Sequence, residues 1–75
     1  MDRNILVRHL TQAEDHVAKG KRHLQQQREI VAKLNGEGGG STRAQRLLNL
    51  FEEMQALHVA DRERLKKALA EAANP

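Results

Sequence analysis

The chain has no cysteine, tryptophan or tyrosine. Without cysteine there is no disulfide framework, no thiolate metal site and no cysteine nucleophile. The one aromatic residue is Phe51, and the one proline is Pro75 at the end. With no internal proline to interrupt it, a body rich in Leu, Ala, Gln, Glu, Lys and Arg favours helix nearly everywhere. Long apolar runs are missing too. The stretch "ILV" near the start is far too short for a signal-peptide core or a membrane span, so a cytoplasmic protein with no membrane partner is expected. No charge sign dominates, since 13 basic and 10 acidic residues leave a net charge of +3. Mixed charge of this kind supports solubility and weak attraction to acidic partners, not a dedicated nucleic-acid surface. Seventy-five residues make at most one small domain, 1–75. A chain that short often gains stability by oligomerising.

Glycine is scarce and concentrated, with four of its five copies in "NGEGGGST". That stretch predicts a turn over 35–41, between a helix over about 3–34 and another over about 42–73. Asn35-Gly36 reads as a helix stop, and Gly38, Gly39 and Gly40 as a flexible turn. Thr42 with Gln45 fits a capping box for the second helix, with Ser41 as the alternative cap, and Asp2 caps the first. Thr11 with Glu14 looks like another box. The apolar pattern runs through it unbroken, so it is a false start.

In the first helix Leu6, Leu10, Ala13, Val17, Gly20, Leu24, Gln27, Val31 and Leu34 follow alternating steps of four and three. This is a heptad seam whose exceptions are Gly20 and Gln27. The matching series in the second helix is Ala44, Leu47, Phe51, Met54, His58, Asp61, Leu65, Ala68 and Ala72, with His58 and Asp61 as exceptions. Folding at the glycines pairs Leu34 with Ala44, Val31 with Leu47, and Leu24 with Met54. It also sets Gly20 against His58 and Val17 against Asp61, a polar layer of Gly20, His58 and Asp61. Leu48, Leu50, Leu57 and Leu69 of the second helix and Val7 and Ile30 of the first lie outside this seam, and apolar faces so wide need more than one neighbouring helix. The fold class expected is therefore all-α: an antiparallel, coiled-coil-like hairpin that dimerises into a four-helix bundle. Leu24, Leu47, Leu50, Phe51, Met54, Leu57 and Leu65 would form the interface.

His9, His16 and His23 recur every seven residues, each one position before a seam residue. Seven residues span two turns, about 10.5 Å of axis, so no two of the three can share a zinc ion with bonds of about 2.0–2.1 Å. They read as residues at the interface flank. His58 lies on the seam with Asp61 three residues on, and His16 falls near Asp61 in the inferred register. These three are candidate metal ligands, or equally a hydrogen-bonded cluster that fixes register. No cofactor is committed: the di-iron Glu-x-x-His motif is absent, because Gln55 precedes His58.

Lys19, Lys21 and Arg22 form a small basic cluster without aromatic neighbours, a weak signal for nucleic acid. The "GEGGGST" loop lacks the pattern of a phosphate loop. Ser41, the only serine, lies in the hinge, and no nucleophile and base are paired, so catalysis is not expected. The runs "HVAKGKRHLQQQREIVAKL" and "LLNLFEEMQALHVADRERL" resemble short helical-hairpin proteins of rhizobia-like alpha-proteobacteria, over roughly His16 to Leu65. The resemblance implies a bacterial origin and carries over no activity and no functional residue. Function is thus expected to be protein interaction, through a homodimer or a heterologous protein partner. Metal binding and weak nucleic-acid contact are the alternatives.

Overall fold

The computed structural model describes residues 2–73 and is helical almost throughout. Helix α1 spans Arg3–Gly36 and helix α2 spans Thr42–Ala73. Five intervening residues turn the chain back, and the two helices pack along each other in a rod of 60 × 14 × 13 Å.

Local chemistry sets the ends. The Asp2 carboxylate accepts from the Asn4 N–H at 2.9 Å and caps α1. At α2 the cap is Ser41, whose Oγ accepts from the Ala44 N–H at 3.1 Å. Thr42 is already inside the first turn, and Gln45 bonds Asn49 instead of closing a box. Nor does α1 stop at Asn35. It continues through Gly36, and the carbonyls of Lys33, Leu34 and Asn35 accept from Glu37, Gly40 and Gly38 at 3.1 Å each. The reversal rests on Gly38 and Gly40, with φ of 81° and 53°, where side chains are strained. Thr11 bonds back to the Val7 carbonyl at 3.0 Å within an unbroken helix.

All nine expected seam positions of α1 are buried or half-buried, and every other described residue of that helix is exposed. In α2 the seam differs. It follows Ala44, Leu48, Phe51, Gln55, His58, Arg62, Leu65 and Leu69, all buried or half-buried. Leu47 and Met54 are exposed at 39% and 44%. One set of rows, from Ala44 to Leu65, is shared with the expected seam; in the other, Leu48 and Gln55 replace Leu47 and Met54, while Asp61 and Ala68 remain half-buried beside Arg62 and Leu69. The reason is chemical: the observed arrangement points Leu48 and Leu69 inward and leaves Asp61 at the flank. The long stem of Arg62 can lie on apolar surface with its charge in water, whereas a carboxylate at that place would be buried without room to escape.

The pairing also slips by a turn or more relative to expectation. Gln27, not Leu34, reaches Ala44, and Val17 meets Gln55 in place of Asp61. Leu6, Ala13 and Leu65 form the main cluster, flanked by Leu10, Ala68 and Leu69. It is a thin core, and no large side chain among the described residues is fully buried. The surface of 5772 Å² exceeds the ~4,700 Å² typical of a compact monomer of this mass by about a quarter.

Candidate functional site

The heptad repeat of α1 sets His9, His16 and His23 in one row beside the seam, with Ile30 as the next step. Across from this row runs α2. The His16 and His58 ring centroids lie 5.3 Å apart at a tilt of 47°. The His23 ring is 6.1 Å from Phe51, tilted 35°. Between these pairs is a shallow groove of about 220 Å³, its walls completed by Lys19, Gly20, Met54 and Gln55. A neighbouring hollow joins His9 and His16 to Asp61 and Arg64. All four histidines thus border one side of the hairpin, although they are spread along its length.

The metal reading meets an obstacle in this arrangement. Among the described residues no group of three His, Asp or Glu side chains comes close enough to hold an ion. Asp61 is ion-paired with Arg64, and what remains is two imidazoles, short of the three protein ligands that even an open zinc site uses. The expected layer of Gly20, His58 and Asp61 is likewise replaced. His58 meets His16, while Gly20 faces Gln55.

Two glutamines fill the polar role instead. Gln27 Nε2, in a residue only 6% exposed, donates to the Ala44 carbonyl at 2.9 Å. Gln55 Nε2 donates in the other direction, from α2 to the Val17 carbonyl of α1, also at 2.9 Å. These reciprocal amide clamps tie each helix to the backbone of the other and so favour one register. Gln55 Oε1 is buried without a hydrogen-bond partner and occupies the space a Gly20 side chain would need. A Cβ at Gly20 would come within 2.8 Å of Gln55 Cδ. Sequence reasoning singled out Gly20 and Gln27 but passed over Gln55. Its signal was a second glutamine in the row alternating with Ala44 and Phe51.

The expected interface residues divide into two groups. Leu24 and Leu65 are buried inside the hairpin, at 8% and 7% exposure, and Phe51 is half-buried. Leu47, Leu50, Met54 and Leu57 form an open stripe along α2, stepping by three, four and three residues, with Leu57 71% exposed. Arg43 extends the same row toward the turn and Asp61 extends it toward the C-terminus.

Lys21 stands apart from the rest of the basic cluster, while Lys19 and Arg22, about 60° apart around the helix, share a face. Lys19 and Lys21 project about 200° apart around the helix, and Lys19 is paired with Asp15 at 2.9 Å. That hydrogen bond holds the Asp15 carboxyl below its ordinary value, against an opposing effect of desolvation.

No family model matches this chain, and no match is found among curated proteins or solved structures. No helix among the described residues is long and apolar enough to cross a membrane.

Proposed function

We propose that this chain is a non-enzymatic interaction module of the cytoplasm that works as a homodimer, two hairpins joined in a four-helix bundle. The observation that carries this reading is the open stripe of Leu47, Leu50, Met54 and Leu57. Fully burying an exposed Leu or Met side chain gains roughly 1.5–3 kcal/mol, and these four, 39–71% exposed, have about half of that still to gain, a real drive to associate. The surplus surface, roughly 1,100 Å² over a compact monomer, is comparable to the ~800 Å² each partner buries in a standard interface. A second copy offers the same stripe at the same spacing, which makes self-association the simplest way to cover it.

Sedimentation equilibrium of the untagged chain, with native mass spectrometry alongside, tests the reading. The wild type is expected at twice the chain mass, and Leu50→Lys with Leu57→Lys at the single mass with its helical content retained. A wild type that stays monomeric at high micromolar concentration would refute the homodimer.

A further inference from the structure

We infer that the two copies meet through α2 in antiparallel orientation about a twofold axis, placing Arg43 of each against Asp61 of the other. The inference rests on the self-association proposed above and specifies its geometry. In the row of exposed Arg43, Leu47, Leu50, Met54 and Leu57 with the half-buried Asp61, three pairs share one midpoint, at residue 52. Turning one copy end over end about that midpoint sets Leu47 on Leu57 and Leu50 on Met54, so apolar meets apolar throughout. The same operation brings Arg43 onto Asp61 at both ends. A parallel arrangement would instead place Arg43 on Arg43 and Asp61 on Asp61, like charge on like.

Arg43 supports the choice independently. A cation in the first turn of a helix opposes the helix dipole, and Arg43 has no carboxylate partner among the described residues to offset that. Asp61 already accepts from Arg64, yet its side chain is 44% exposed, and a carboxylate can take a second guanidinium. Antiparallel packing also aligns the two helix dipoles favourably. The partner's Asp61 then gives Arg43 the acidic neighbour that its own chain does not.

The absence of cysteine makes the test direct. Arg43→Cys and Asp61→Cys are made separately, checked for helical content, and oxidised alone and as a mixture. In the antiparallel pair Arg43 and its symmetry mate are about 27 Å apart, at 1.5 Å per residue, far beyond disulfide reach. The expected result is a covalent dimer in the mixture and little in either variant alone. Rapid self-linkage of Arg43→Cys would overturn the orientation in favour of a parallel pair. No linkage in any combination, with the wild type sedimenting as a dimer, would also overturn it while leaving self-association intact. A monomeric wild type would remove both proposals together. As a second readout, Arg43→Asp is expected to weaken the dimer by about tenfold, and Arg43→Asp with Asp61→Arg to restore it. Failure of the double variant to recover would count against the pairing.

Discussion

The two helices are nearly equal in length and unequal in what they leave uncovered. In α1 the residues that avoid water are the nine seam positions, and everything else is exposed. α2 carries the rows that pack on α1 and, beside them, four large apolar residues aligned in one partly open stripe, whereas the open Ile5, Val7 and Ile30 of α1 form no such row. A helix with one apolar seam is satisfied by one neighbour, and a helix with a seam and a stripe is not. Under the self-association proposed above, the difference points to α2 as the joining face and gives α1 the part of a brace. It also separates two kinds of leucine. Some hold the hairpin closed, and others stay partly open to solvent.

The sharpest break in that comparison comes from truncating one leucine of each kind. Leu65 lies at the centre of the main cluster, so Leu65→Ala should cost about 2–5 kcal/mol, enough to unfold a chain this small. Leu57→Ala removes a side chain that touches little, and the isolated hairpin should change by no more than about 0.5 kcal/mol. Urea titration at low protein concentration compares the two without the added stability that association brings. At high concentration Leu57→Ala should lose much of the dimer. Equal losses at low concentration would mean that the stripe is part of the hairpin core after all.

Next comes the clamp between the helices. Gly20→Ala gains about 1 kcal/mol of helix propensity but drives Gln55 from its place against Val17, leaving buried polar groups unpaired at about 1–3 kcal/mol. The net change should be destabilising. In a Gln55→Ala background the obstruction is gone, and the same Gly20→Ala should stabilise. A reversal of sign in this double-mutant cycle, read from urea midpoints, is the diagnostic outcome. The same sign in both backgrounds would show that Gln55 moves aside freely and does not hold the register.

Much of this could be read from the residues, and the reasons differ by element. In α1 Ile5, Val7 and Ile30 lie outside the seam but form no second row, so the continuous series from Leu6 to Leu34 announces its own burial. In α2 Leu47 and Leu48 are adjacent leucines, and either can continue the row begun at Ala44. Periodicity cannot choose between them. The choice depends on the penalty for burying Asp61 compared with Arg62 and on the reach of the Gln55 amide to a carbonyl thirty-eight positions earlier in the chain. Such effects are tertiary, and the Gly20–His58 pairing failed for the same reason. The histidines fared differently. Their seven-residue spacing placed them beside the seam, but which ring each meets, His58 for His16 and Phe51 for His23, followed from the register.

The smallest effect lies on the outer face of α1 and asks whether that face is as inert as the comparison implies. Asp15 and Lys19 are both 56% exposed, and their hydrogen bond holds the Asp15 carboxyl below its ordinary value. A carboxylate with a depressed folded value stabilises fully above the unfolded value, and the contribution is lost as pH falls through the folded one. Lys19→Met should therefore lower the urea midpoint slightly near neutrality, by less than any change above, with the difference from wild type fading in acid. Lys19 also borders the groove beside His16 and Phe51. If the difference persists unchanged at low pH, the lysine acts through packing of its stem and not through the ion pair. The histidine side of α1 would then contribute to the fold, and α1 could no longer be treated as a brace with a single working face.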